Sequence, residues 1–436
     1  MAERRPFLIS IYQSLAWALT PLFHVLHWWR CRSGKEISGR KSERFGFGSM
    51  PRPTGTLVWI HAASVGETMS VLPLIEALSD AGNRVLLTTV TVTSAELAHS
   101  RLPENAFHQF VPFDAPGPVD RFLNHWNPDL AMVVESEIWP CLFDRMRQRS
   151  TPFVLLNGRL SDSSMRSWQR LSRVSGYIFN CLDLVLAQSK TDADRFRRLG
   201  CKTVETPGNL KFDAPEPQLP LEDLTSLKEQ IGSRPVWLAA LTHPGEDEIA
   251  AHAFKTLEKE FSDLLLVLVP RHPARADDIR AQLELQGLSV SSRSRGDRIE
   301  RETRVYLGDT LGEMGLYYRL APVTFLGGSF NDAGGHNPVE AALTGSALVT
   351  GPRVSNARAV YKDLWAAEGA GRASSPETLE ELVGELLRQP QMAVEQAERA
   401  RALVEAGRGA LAKTLEILEA RFPIEVRGKG HEALHE

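Results

Sequence analysis

After residue 55 the chain repeats one pattern: a short, continuous apolar run, then a helix-length amphipathic segment. The runs are 57–60 (LVWI), 85–90 (VLLTTV), 130–134 (LAMVV), 153–156 (FVLL) and 184–187 (LVLA). Strands covered on both faces read as unbroken runs of Val, Leu and Ile, so this alternation predicts a parallel sheet sandwiched by helices. Residues 213–225, with Pro215, Pro217 and Pro220, interrupt the pattern and read as a linker. A second series follows at 236–241, 264–269, 323–326 and 347–349. The expected fold is therefore α/β with two doubly wound halves, and a ligand cleft between two such halves is the usual arrangement. The boundaries expected are 1–47 for an N-terminal segment, 48–212 and 235–423 for the halves, 213–234 for the linker and 424–436 for a polar tail. The stretch 376–420 has helical spacing.

Length and charge narrow the class. A chain of 436 residues has room for such a pair of domains. A net charge of -4 does not suit a nucleic-acid binder. Cys31, Cys141, Cys181 and Cys201 are far apart, with no C-x-x-C pair, and read as reduced thiols rather than a disulfide frame or a zinc site. From residue 6 to residue 29 there is no Asp, Glu, Lys or Arg. That length can span a bilayer, and Trp28, Trp29, Arg30 and Arg32 suit its interface. The segment is expected to anchor the protein, crossing once or lying in the interface, with a buried hairpin as the alternative. The basic flank that follows, through Lys35, Arg40 and Lys41, predicts a body on the cytoplasmic side.

Five motifs can carry chemistry. In I-H-A-A-S-V-G-E-T (60–68), Ser64 and Glu67 spell a capping box where a strand turns into a helix. Glu67 thus stands at the carboxyl end of a strand, either as a cap alone or as a general base. V-V-E-S-E-I-W-P (133–140) places Glu135 and Glu137 at the end of another strand, where positions i and i+2 share a face and a carboxylate pair pushes its pKa values apart. P-G-N-L-K-F-D (207–213) offers Lys211 at the domain boundary. V-P-R-H-P-A-R (269–275) sets Arg271 and His272 in a loop stiffened by proline. In G-G-S-F-N-D-A-G-G-H-N-P-V-E-A-A (327–342), Asn337, Pro338 and Glu340 read as Ncap, N1 and N3 of a helix whose N-terminus suits an anion. Glu340 either caps or holds ribose hydroxyls. Upstream, G-D-T-L-G-E (308–313) supplies a polar turn. Asp192 and Asp194 match a metal-binding D-x-D in letters only; they read as the first turn of a helix. The basic residues Arg145, Arg147, Arg149, Arg159, Arg166, Arg170 and Arg173 form a solvated face or a seat for anionic lipid headgroups.

Taken together, H-A-A-S-V-G-E, E-S-E-I-W-P, L-N-G-R-L-S, G-N-L-K-F-D, P-R-H-P-A-R, G-D-T-L-G-E and G-G-H-N-P-V-E-A-A resemble the bacterial 3-deoxy-D-manno-octulosonic acid (Kdo) transferase family. The resemblance spans nearly the whole chain. It implies a GT-B fold of two Rossmann-like domains with an N-terminal membrane-associated helix. It also implies an inverting enzyme of lipopolysaccharide synthesis that transfers Kdo from CMP-Kdo to lipid IVA at the cytoplasmic face of the inner membrane, without a metal or other cofactor and with no nucleic-acid partner. Carried over by motif, Glu67 is the catalytic base, and Glu137 and Lys211 stabilise the transition state. CMP contacts fall to Pro270, Arg271, Leu311, Gly312, Glu313, Asn337, Pro338, Val339 and Glu340. Two departures stand out: Leu311 where some relatives have Met, and Ser94 where the family often has Gly after T-x-T. Another GT-B sugar-nucleotide transferase, or a silent nucleotide-binding scaffold at the membrane, is the rival reading.

Overall fold

The computed structural model describes residues 4–213, 217 and 219–425. The linker residues 214–216 and 218, and the polar tail from 426 onward, lie outside the described residues. The chain divides into two compact units, residues 1–213 with 408–436, and residues 214–407.

The first unit holds seven strands: β1 (Leu57–His61), β2 (Arg84–Thr89), β3 (Ala106–Phe110), β4 (Leu130–Val134), β5 (Phe153–Gly158), β6 (Leu184–Ala187) and β7 (Val204–Glu205). Their order is β3-β2-β1-β4-β5-β6-β7, and every pairing is parallel. The chain moves outward from β1 to β3 and then restarts at β4 on the other side of β1. Side chains of the central strands alternate between two cores. Trp59, Ala131 and Leu155 pack with Phe122 and Trp126 on one face, while Val58, Ile60, Met132 and Leu156 pack with Leu74 and Ile75 on the other. Each fully buried Leu, Ile or Val contributes roughly 1.5–3 kcal/mol of hydrophobic stabilisation.

The second unit repeats the plan with β8 (Val236–Thr242), β9 (Leu265–Pro270), β10 (Val290–Ser292), β11 (Val305–Leu307), β12 (Val323–Leu326), β13 (Ala347–Thr350) and β14 (Ala370–Arg372). The order is β10-β11-β9-β8-β12-β13-β14, again all parallel. The expected doubly wound halves are thus present. The strands that periodicity did not pick out, β3, β7, β10, β11 and β14, lie at or next to the sheet edges, and all but β3 are two or three residues long.

Two boundaries differ from expectation. The stretch 376–420 is three helices, Pro376–Arg388, Pro390–Gly407 and Ala410–Arg421, divided at Pro390 and at Gly409, whose φ of 92° is left-handed. The last of them belongs to the first unit, not the second. The Asp213 carboxylate accepts the Gly409 and Leu411 N–H groups at 2.6 Å each, and Ala410 and Leu418 enter the first unit's core.

The charge-free N-terminal run is two helices, Phe7–Ala18 and Thr20–Arg32, bent by 63°. Pro21 cannot donate the helical bond at the break. Among the described residues no single helix is long and apolar enough to cross a membrane. One face packs on the first unit: Ile9 and Ala16 are buried, Phe23 stacks on Phe113 at 4.9 Å, and Gln13 Nε2 donates to Asp144 at 2.8 Å. The other face is open, with Phe7 78% and Trp17 70% exposed, and Leu22, Val25, Trp28 and Trp29 all more than half exposed.

Asp144, fully buried, also takes the Tyr177 hydroxyl at 2.6 Å and the Arg5 guanidinium at 2.8 Å. Asp144→Ala strands these donors, and urea unfolding is expected to show a loss of about 3 kcal/mol.

Candidate active site

In a doubly wound sheet, ligands bind outside the carboxyl ends of the strands where the strand order reverses. In the first unit that point lies between β1 and β4, and the sequence delivers carboxylates on both sides of it. After β1, Ser64 is the N-cap of the helix Val65–Asp80 and accepts the Glu67 N–H at 3.3 Å. The Glu67 carboxylate reaches back, accepting the Ala63 N–H at 2.8 Å and the Ser64 hydroxyl at 3.0 Å. The capping box is real, and it does not compete with a chemical role. Burial, reinforced by the nearby Glu135 and Glu137 charges, lifts the Glu67 pKa to about 7 against the two capping bonds.

β4 ends at Val134, three residues short of the Glu137 that the i, i+2 argument needs on the strand. Glu135 has φ of 57°, so Glu135 and Glu137 sit in a turn, not on one strand face. The turn is pinned by bonds from Glu135 N to Leu156 O at 2.9 Å and from Arg159 N to Glu135 O at 3.2 Å. A left-handed glutamate costs on the order of 1 kcal/mol, and such strain gathers at functional sites. Burial also raises the pKa of Glu137, although the Trp139 indole N–H bonds it at 2.8 Å.

Lys211 lies in a buried 3-10 turn, Leu210–Asp213, and forms an ion pair with Glu135. The turn is held by Asn157, whose Oδ1 accepts the Leu210 N–H at 3.1 Å, and by Asn209, which accepts the Lys211 N–H at 3.0 Å. Asn157 belongs to the L-N-G-R-L-S motif; its left-handed φ of 53° was the structural reason the letters alone could not show. The first unit therefore brings Glu67, Glu137 and Lys211 together, with Glu135 as the partner that links them.

In the second unit the strand order reverses between β8 and β12. Here the organising group is Glu246, which the sequence reading missed. Its buried carboxylate accepts four backbone N–H groups: His243 at 3.0 Å, Gly328 at 2.6 Å, and Ser329 and Phe330 at 2.9 Å each. It ties the end of β8 to the loop after β12. A side chain at Gly327 would stand 2.7 Å from the Leu241 carbonyl, which is why a glycine is needed there. His336 and His243 meet through their Nε2 atoms at 3.1 Å, and the Tyr361 hydroxyl donates to His336 O at 2.6 Å.

The other expected nucleotide contacts lie at strand ends of the same sheet. Pro270 ends β9, and Arg271 is exposed beside it, its N–H on Thr242 O at 3.0 Å. Leu311, 78% exposed, and Gly312, with φ of 85°, follow β11. Glu313 is committed to Arg293 at 2.6 Å and to the Thr310 hydroxyl, and these bonds lower its pKa despite burial. The helix after Asn337 is only Val339–Leu343, with Pro338 in the N-cap place; Asn337 Oδ1 still accepts the Val339 N–H at 3.3 Å, and Glu340 is in the first turn. The expected Asn-cap register is shifted by one residue.

Two other readings change in detail. Asp192 lies in the first turn of Lys190–Arg198 and accepts the Leu160 N–H, while Asp194 falls past that turn and pairs with Arg197 at 3.0 Å. Of the seven arginines, Arg145 pairs with Asp120 at 2.8 Å, Arg147 lies over the Tyr177 ring, and Arg149 bonds Asn124; Arg166, Arg170 and Arg173 are exposed.

A family model described as 3-deoxy-D-manno-octulosonic-acid transferase matches residues 39–214. A 3-deoxy-D-manno-octulosonic acid transferase from Bordetella pertussis is 35% identical over 422 residues, 94% of this chain and 98% of the relative. One from Rickettsia bellii (strain RML369-C) is 34% identical over 382 residues, 87% of this chain and 91% of the relative. Among solved structures, UDP-GlcNAc 2-epimerase from Neisseria meningitidis bound to UDP-GlcNAc matches with a TM-score of 0.53 at 14% identity, over 84% of this chain and 100% of that one. At that identity the likeness shows the shared GT-B architecture alone.

The raised Glu67 pKa has a consequence for stability. Its folded value of about 7 lies above the 4.5 of an ordinary glutamate. Below about pH 4.5 the group is protonated in both states; as pH climbs from there through 7, folding stability is lost. Glu67→Gln is therefore expected to raise the thermal midpoint at about pH 8 and leave it nearly unchanged at about pH 4, read by calorimetry.

Proposed function

The chain belongs to the 3-deoxy-D-manno-octulosonic acid (Kdo) transferase family, and from that premise we propose that it transfers Kdo from CMP-Kdo to the lipid A precursor lipid IVA, with inversion at the anomeric carbon. The observation that carries the chemistry is Glu67: a half-buried carboxylate at a switch point, with a pKa of about 7. A base works best when its pKa is near the working pH. Glu67 takes the proton of the acceptor hydroxyl as that oxygen bonds to the anomeric carbon of Kdo, and CMP leaves with the electron pair of the breaking bond.

CMP-Kdo brings a sugar carboxylate and a phosphate, so the reaction needs cationic and hydrogen-bonding partners. Lys211 in the first unit is one, and Arg271 and the loop organised by Glu246 in the second are the others. Pro270, Arg271, Leu311, Gly312, Glu313 and residues 337–340 are assigned to the nucleotide. Glu313, through its bonds to Arg293 and Thr310, shapes its turn as well as facing the ligand. No metal is assigned to the reaction.

We assign the N-terminal helix pair to the membrane surface, on the cytoplasmic face of the bacterial inner membrane. Its open face carries Phe7, Trp17, Leu22, Val25, Trp28 and Trp29, its other face is packed on the first unit, and Arg30 and Arg32 lie in its last turn. An apolar face with basic flanks lies in the interface and places a body where a lipid-borne acceptor can be reached. Trp17→Glu with Leu22→Glu should abolish co-flotation with anionic vesicles; the exposed Arg166, Arg170 and Arg173, changed together to Glu, should weaken it.

The defining experiment is mass spectrometry of lipid IVA incubated with the purified chain and freshly made CMP-Kdo. The expected product carries added Kdo, the yield falls by on the order of 10²–10⁴ in Glu67→Ala, and CMP inhibits where UDP does not. No added mass despite CMP binding would overturn the acceptor assignment.

A further inference from the structure

Beside the carboxylates lies a group that the motif-based role assignments leave unused. His61 ends β1 and is fully buried. Its Nδ1 is 3.1 Å from the Thr88 carbonyl oxygen and 3.0 Å from the Thr88 hydroxyl. The Thr88 hydroxyl already accepts the Trp59 indole N–H at 2.9 Å. A carbonyl oxygen only accepts, so the proton is assigned to the Nδ1 that faces it. The other nitrogen, Nε2, then presents a lone pair. It is buried, has no hydrogen-bond partner among the described residues, and points at Glu137 Oε2 from 3.9 Å. Trp139 closes the side, its ring edge-on to the imidazole at 5.5 Å.

A lone pair facing a carboxylate across 3.9 Å is repulsive unless one of them holds a proton. We infer that His61 and Glu137 share a single proton that resides on Glu137, so that Glu137 works as a neutral acid and His61 is the positioning residue that keeps it so. The electrostatics agree. Burial drives the His61 pKa down to about 4, and Arg44 works in the same direction, so the imidazole is a poor home for the proton. Burial and Glu135 raise the pKa of Glu137. The charged groups around Glu137 are Glu135 on the same turn, Glu67 on the helix Val65–Asp80, which couples to both, and Lys211 on the Leu210–Asp213 turn, paired to Glu135. With three carboxylates ionised and one ammonium, this corner would carry two excess negative charges. An anionic sugar donor would be repelled. A neutral Glu137 relieves that repulsion and leaves Glu67 free to act as base, its pKa then held up by burial and the Glu135 charge alone. That catalytic consequence rests on the Kdo-transfer reading; the place of the proton does not.

The test uses the full chain labelled with ¹⁵N-histidine, in detergent micelles, with His61 assigned by loss of its signal in His61→Gln. The expected result from about pH 6 to about pH 9 is a neutral imidazole with Nδ1 protonated and Nε2 bare. The Nε2 signal should show one step, above the ordinary glutamate range, as Glu137 ionises, and that step should vanish in Glu137→Gln. An imidazolium at about pH 7, an Nε2–H tautomer, or a step that survives in Glu137→Gln would overturn the inference. None of these readings requires turnover, so they stand apart from failure of the Kdo assay. In kinetics, His61→Phe removes the acceptor and should move the alkaline limb of the kcat/KM profile down by about one pH unit, a tenfold change in the ionisation constant. His61→Gln, which offers an amide oxygen, should restore it. Unmoved limbs in a folded His61→Phe protein would contradict the role.

Discussion

Three carboxylates and one ammonium crowd the point where the first sheet reverses its strand order, and the local structure answers to that crowding. Glu67 arrives on the first turn of a helix, Glu135 and Glu137 on a strained turn, and Lys211 on a 3-10 turn from the end of the unit. Like charges this close cannot all ionise at neutral pH unless something takes up the excess. Lys211 takes up one by pairing with Glu135. The others are left with raised pKa values, which converts a structural problem into acid–base capacity. The backbone supports around them, Asn157 under Lys211 and Thr88 under His61, keep this arrangement in place without adding charge.

The second unit solves a different problem with the same topology. At its switch point the buried Glu246 carboxylate spends both oxygens on backbone N–H groups. That carboxylate builds a loop rather than reacting. The glycines and the paired histidines then shape the loop beside it, while Arg271 supplies charge at the neighbouring strand end. One topology, used twice, thus carries a cluster of carboxylates in one unit and a loop-building carboxylate in the other. Each unit's strand ends receive the residue types that its task requires.

Much of this could be read from the letters, and the limits have physical causes. Central strands are buried on both faces, so β1, β4, β5, β8, β9, β12 and β13 announce themselves as unbroken apolar runs. The edge strand β3 is broken by the adjacent polar pair His108 and Gln109, and β14 is only Ala370–Arg372; neither has a run to show. The capping box at Ser64 and Glu67 is a local device and was legible. Asp213 as a cap for Gly409 joins residues 196 positions apart, which no window of sequence contains, so the last helix was placed with the wrong unit. Glu135 and Glu137 were legible as a pair, but the left-handed φ that ends β4 was not, since it is imposed by the bonds to Leu156 and Arg159. His61 and Glu246 looked like ordinary residues of a strand end and a helix start; only their surroundings give them roles.

The central claim is that mutual repulsion and burial make Glu67 a base poised at neutral pH. The most direct measurement is titration of the Glu67 carboxyl carbon by ¹³C NMR in the full chain, in wild type and in a Glu135→Gln variant. A midpoint near 7 that falls when the Glu135 charge is removed is the predicted result. A midpoint in the ordinary glutamate range, unchanged by that substitution, would contradict the account.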